Sequence, residues 1–337
     1  MPSFERDSNR IVIAGASSLL GAELKSLLEE SRFAGWDLRL VDEQVAAGTL
    51  TEAGGEPAVI QPVEEGSFEK ARFVFFVGSA EFVERNLKAA LAAGAVAIDF
   101  TGKVWTKDFK PRPFFPKLDE FWGTQFTPKA PHFWIISAPA VAAASLSLGL
   151  RPLGLKRISI TFLRPVSEAG RAGIEELEGQ TTQLLSFQSV GQLVFDAQAA
   201  FAVSDRYGAE SRENLSAYEN RLREEVLQCT FTPDGIQPAI RVLHAPVFYG
   251  YTFSANVELD SSATADRVSS ACAEAGFALA EKGAIVSNLT AAGENSIHLA
   301  QPETDPSQTG TWWFWGAADN IRLPAWNAVK LAEKLMP

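Results

Sequence analysis

Gly15 and Gly21 bracket the stretch Gly15-Ala-Ser-Ser-Leu-Leu-Gly21, which sits between an apolar run and a segment with leucines at helical spacing. A loop in that position aims backbone N–H groups and a helix N-terminus at a ligand, which suits a pyrophosphate. The pattern is GxxxxxG and not GxGxxG, so a simple tight turn before a helix reads the same way. Asp42 and Glu43 close the next apolar run. An acid there can hydrogen-bond ribose hydroxyls and would repel a 2′-phosphate, favouring NAD over NADP. A solvated acidic turn is the competing reading.

Few other side chains offer chemistry. Cys229 and Cys272 are the only cysteines and form no CxxC pair, so neither a disulfide framework nor an oxidising compartment is indicated. Cys272 lies in an alanine-rich helical pattern, a setting for a small core residue. Cys229 has no cationic neighbour to make it a thiolate. His132, His244 and His298 are scattered, so no metal site is expected. The net charge of −11 repels phosphate backbones and excludes nucleic-acid binding. The apolar stretch from Phe133 to Leu150 is interrupted by Pro139 and serines, so no membrane span is expected. The polar N-terminus resembles no signal peptide. A reducing cytoplasm is the expected setting.

These residues need positioning elements. Arg10–Ala14, Leu38–Val41, Phe73–Val77 and Ala95–Phe100 read as strands, with helices over Leu20–Glu30 and Phe82–Ala93. This alternation predicts a doubly wound, parallel α/β sheet of Rossmann type. The proline-rich and aromatic stretch Lys103–Lys129 reads as a crossing between domains. Phe133–Ser137 reads as a strand and Val141–Leu150 as a helix. Beyond it come a strand over Arg157–Val166, helices over Gly173–Phe187 and Asn214–Leu227, and an alternating strand over Val247–Leu259. A helix over Ser262–Lys282, an apolar strand over Trp312–Trp315 and a last helix over Ala325–Leu335 complete the chain. Strict alternation in this half predicts a second, α+β domain with a mixed sheet.

Several segments, in order, resemble the aspartate-semialdehyde dehydrogenase family. Gly15–Gly21 resembles its GATGxVG loop, Pro165–Gly173 its AVSGAGxxG, and Glu175–Thr181 its DELxxQT. Trp315–Arg322 with Asn327 resembles its closing SDNLRKGAALN. The resemblance implies a nucleotide domain over 1–137 and 318–337. Residues 138–317 would form a second domain carrying the substrate site and the interface of a homodimer. It places the cofactor against Gly15, Ser17, Ser18, Leu19, Leu20, Gly21, Asp42, Gly78, Ser79 and Asn327.

The family's chemistry does not transfer. Its nucleophilic cysteine in NPNCST aligns with Val141 of Ala138–Ala143, and its histidine base in PVxxGHS with Tyr251 of Pro246–Thr252. A valine can neither attack a carbonyl nor move a proton. The family's carboxylate-binding arginine is matched by His244 and its site glutamine by Arg164. Its NADP-binding SARSAG becomes Asp42–Gly48, without arginine. Glu219 and Arg221 resemble the family's acidic and basic residues on this helix, and an ion-paired exposed face reads the same. Catalytic residues are therefore expected to be absent, with Arg164, Glu219, Arg221, His244 and Tyr251 as substrate-site candidates. Three functions remain open. One is a non-catalytic homologue that binds a nucleotide or regulates a protein partner. Another is an NAD-dependent oxidoreductase acting on an aldehyde or semialdehyde, with Tyr251 or His244 as proton donor. The third is a scaffold binding neither ligand.

Overall fold

A computed structural model of the protein describes residues 8–43, 48–53, 56–102, 111–124, 131–230 and 236–336. The chain divides into two compact units, Met1–Ile136 with Pro324–Pro337, and Ser137–Leu323.

The first unit runs β1 (Arg10–Ala14), α1 (Leu19–Glu29), β2 (Asp37–Asp42), a hairpin of β3 (Leu50–Ala53) and β4 (Glu56–Val59), then β5 (Gln61–Pro62). It continues through β6 (Ala71–Phe76), α2 (Ala80–Ala92), β7 (Val96–Asp99), β8 (Arg112–Phe114), α3 (Leu118–Trp122) and β9 (His132–Ile135). The main sheet has the order β5-β2-β1-β6-β7-β9-β8. Every neighbouring pair in it is parallel, the predicted doubly wound arrangement. Continuous apolar strands suit a sheet covered on both faces. Ile11, Ile13, Phe73 and Phe75 pack with Leu24 and Leu28 of α1 and with Val329 of the C-terminal helix. Val12, Ala14, Val74 and Phe76 pack instead with Phe82, Val83 and Leu87 of α2.

The stretch read as a crossing between domains belongs to this unit. Part of it, 103–110 and 125–129, lies outside the described residues. The remainder forms α3 and the edge strand β8, where the N–H that Pro113 lacks is not needed.

The second unit contains α4 (Ala138–Gly149), β10 (Arg157–Arg164), α5 (Gly170–Leu185), α6 (Leu215–Thr230), β11 (Ala239–His244) and β12 (Tyr251–Glu258). It then forms α7 (Ala265–Glu274), β13 (Phe277–Leu279), β14 (Ile297–Leu299), β15 (Glu303–Thr304) and β16 (Thr311–Ala318). α8 (Arg322–Lys334) follows, and from Pro324 on it belongs to the first unit. The sheet order is β11-β10-β12-β16-β14-β13, with β15 beside β16. β10 pairs parallel with β11 and antiparallel with β12, so the sheet is mixed as predicted.

Two element limits and one burial pattern differ from expectation in an instructive way. The alternating strand begins at Tyr251 and not at Val247, because Gly250 has a φ of 82°. Tyr249 is consequently exposed instead of sharing the buried face of Tyr251, Phe253 and Val257. The helix expected over Ser262–Lys282 stops at Glu274, where Gly276 (φ 95°) turns the chain into β13. Finally, the WWFW run has one buried and one open face, with Trp312 and Phe314 inside and Trp313 and Trp315 exposed.

Candidate functional site

In the first unit the glycine loop is built from close backbone approach. A Cβ on Gly15 (φ 100°) would lie 2.4 Å from the Gly78 nitrogen, so neither a side chain nor a looser turn fits. Gly78 is thereby fixed against the loop, and Ser79 next to it caps α2 by accepting from the Phe82 amide. Ser18 caps α1, accepting from the Gly21 amide at 3.0 Å. Asp42 accepts from the Ser17 amide at 2.8 Å and from the Glu43 amide at 2.7 Å. It is buried, which overturns the solvated acidic turn for that residue. Glu43 beside it is exposed and paired with Arg85.

The amides of Leu19 and Leu20 open the helix and have no intrahelical acceptor. The Nδ2 of Asn327, buried on α8, lacks a hydrogen-bond partner. Helix-opening amides, a preset carboxylate and an orphaned amide are group types that a dinucleotide can engage. Among the described residues no group of three or more His, Cys, Asp or Glu could hold a metal ion.

The second unit holds a buried polar cluster. Parallel pairing of β10 and β11 sets Arg164 level with His244. Arg164 is 2% exposed. It donates to Glu213 at 2.6 Å and to the Tyr207 hydroxyl at 3.1 Å, and stacks 4.8 Å from the ring centroid of Tyr218. The Nε of Arg164 has no partner. The Tyr207 oxygen lies 3.3 Å from Nδ1 of His244, whose Nε2 lies 3.0 Å from the carbonyl of Ala199. A carbonyl only accepts, so Nε2 carries the proton and Nδ1 accepts from Tyr207. Burial, aided by Arg164, lowers the His244 pKa below its ordinary value and keeps the ring neutral. Ala199 is fixed in turn by Gln180, which accepts from the amides of Ala199 and Ala200.

Tyr251 donates to the Tyr218 hydroxyl at 2.7 Å. Burial raises both phenols well above the usual range. Arg221 stacks on the same Tyr218 ring at 4.8 Å and lies 3.5 Å from Glu225. Glu225 is buried, which raises its pKa, and accepts from the amide and hydroxyl of Ser137 at the head of α4. Val141 lies in the first turn of that helix, buried. Asn320 ties the Gly250 amide to Glu168, with contacts of 2.9 Å on either side.

Arg164, Arg221, His244 and Tyr251 thus gather in one cluster. Glu219 does not pair with Arg221, since residues two apart point to different sides of a helix. It accepts from the Val242 amide at 2.9 Å and pairs with Arg223. Neither thiol joins the cluster's chemistry, because burial pushes Cys272 up to about 12 and Cys229 further still. Sequence reasoning missed Tyr207, Glu213, Tyr218 and Glu225. Glu168 carried a signal, since it stands where the family segment AVSGAGxxG has glycine.

Comparison with known proteins decides the family. The family model described as semialdehyde dehydrogenase, dimerisation domain, matches residues 148–323. The chain belongs to the semialdehyde dehydrogenase family. It is 29% identical to a USG-1 protein homolog of Azotobacter vinelandii, over 97% of both chains. It is 26% identical to aspartate-semialdehyde dehydrogenase 2 of Vibrio cholerae, again over 97% of both. Among solved structures, a probable aspartate-semialdehyde dehydrogenase from Pseudomonas aeruginosa superposes with a TM-score of 0.82 at 26% identity. That match covers 97% of this chain and 98% of the other. Among the described residues no helix is long and apolar enough to cross a membrane.

Proposed function

We propose that this family member is a dinucleotide-binding homologue that has given up the family's thioester chemistry and serves as a binding or regulatory protein. The observation that carries this reading is the pair Val141 and Tyr251. The side chain aligned with the nucleophile is a buried isopropyl group, and the one aligned with the base is a phenol bonded to a second phenol. Thiolate attack needs a nucleophile of low pKa with a base beside it. Both cysteines are buried and held protonated.

The first unit supplies the nucleotide site. The loop Gly15–Gly21 presents the amides of Leu19 and Leu20 to the pyrophosphate, with Ser17 and Ser18 shaping the turn. Asp42 takes the ribose hydroxyls, Gly78 and Ser79 line the loop, and Asn327 offers its free amide. A bound nicotinamide would supply hydride chemistry, and the preset Asp42 favours NAD over NADP. The second unit supplies the interface of a homodimer, in a cytoplasmic protein.

Direct reduction of a carbonyl, with Tyr251 as donor, is the weaker alternative. Its hydroxyl hydrogen is committed to Tyr218, and burial raises its pKa despite the opposing pull of Arg164. Isothermal titration with NAD and with NADP, beside an assay of phosphate-dependent semialdehyde oxidation on the same sample, tests the proposal. NAD should bind more tightly than NADP, with no turnover above background. Robust turnover would refute the loss of thioester chemistry, and silence toward both nucleotides would leave a scaffold.

A further inference from the structure

The carboxyl end of β2 carries more than the ribose acid. Glu43 follows Asp42 directly, and its carboxylate pairs with the guanidinium of Arg85, which reaches over from α2. The Nε of Arg85 also donates to the carbonyl of Glu81 at 3.2 Å, so its own helix aims the side chain independently of Glu43. With Asp42 taking the ribose as proposed above, this cation, already occupied by a carboxylate, would stand beside a 2′-substituent. We propose that Glu43 and Arg85 form the specificity switch of the nucleotide site: Arg85 is a latent ligand for a 2′-phosphate, and Glu43 keeps it engaged. This rests on the nucleotide-binding reading above and adds two residues to it.

The physical case compares two anions competing for one guanidinium. A phosphate monoester brings close to two charges and accepts bidentate bonds from arginine, so it is the stronger partner when both can reach. In this chain it would have to displace Glu43 while sitting near the fixed charge of Asp42. A nucleotide with a free 2′-hydroxyl meets no such cost, since Asp42 accepts from it. The Arg85–Glu43 pair is solvent-exposed on both sides and therefore weak. Discrimination is accordingly expected to be moderate and easily reversed by one substitution.

The intact protein, E43Q and the double variant E43Q/R85Q are titrated with NAD, NADP, 5′-ADP and 2′,5′-ADP. In E43Q the affinity for NADP and for 2′,5′-ADP should rise roughly ten-fold relative to that for the unphosphorylated partners, the scale of one nearby charge in water. Adding Arg85→Gln should cancel the gain. NAD binding by the parent protein with no change of preference in E43Q would overturn this inference alone. A gain that persists in the double variant would also overturn it, leaving Glu43 as a repulsive charge and Arg85 as a bystander. Failure of every nucleotide to bind the parent protein would remove the nucleotide reading itself.

Discussion

The glycine loop and the Arg164 cluster treat hydrogen-bonding capacity in opposite ways. The loop spends its internal groups on shape and leaves Leu19, Leu20 and Asn327 with amides to offer. The cluster answers most of its charge from within, with Glu213 on Arg164, Glu225 near Arg221, and Tyr207 between Arg164 and His244. On the function proposed above, the loop is a site that holds donors in reserve for a ligand. The cluster is a site filled by the protein's own side chains, with the energetics of core.

The largest effect is expected at the loop. Gly15→Ala sets a methyl against the backbone of Gly78 at a φ that alanine avoids. It should cost about 3 kcal/mol or more in unfolding free energy and abolish the nucleotide binding proposed above. Retention of either property, by urea melting or titration, would mean the loop is less tightly built than described. Next comes an asymmetry within the cluster. Glu213→Ala removes the carboxylate bonded to the buried cation of Arg164, leaving only the longer-range attraction of Glu168, and should cost about 2 kcal/mol, allowing for the partial exposure of Glu213. Arg164→Met removes the cation and lets Glu213 turn to water, so its urea midpoint should fall less. Equal losses would show that the guanidinium's packing on Tyr218, and not its charge, dominates.

Periodicity and motif order carried most of the fold, because apolar strands covered on both faces and amphipathic helices write their period into the chain. Glycines with positive φ set the limits of that reading. Gly250 and Gly276 look like ordinary members of a strand and a helix, but the strand starts only after Gly250 and the helix stops before Gly276. In the candidate site, Arg164, Tyr251 and His244 stood out because they replace residues of a family pattern. Their partners did not. Tyr207 and Glu213 lie in a loop with no periodic signal, and only the fold brings them onto Arg164. Glu219 and Arg221, read together from one motif, turn to different partners, Glu219 to the Val242 amide and Arg221 to the Tyr218 ring.

The smallest predicted effect follows a single proton. His244 is neutral in the folded protein, with Nδ1 accepting from Tyr207 and Arg164 nearby, and its folded pKa lies below its ordinary value. The sign follows directly. Below a pH of about 6.5 the unfolded chain protonates this imidazole while the folded protein resists, so acid favours unfolding. Its share of stability is complete above that pH and declines below it, by no more than about 1.4 kcal/mol per pH unit for one proton. Replacing His244 with glutamine keeps a donor and an acceptor and removes the titration. Urea unfolding of H244Q between pH 7.5 and 5.5 should therefore show a shallower loss of stability than the parent chain. Parallel profiles would mean that His244 is protonated in the folded state, which would break the bond from Tyr207 and make the cluster a site with charge to spare, like the loop.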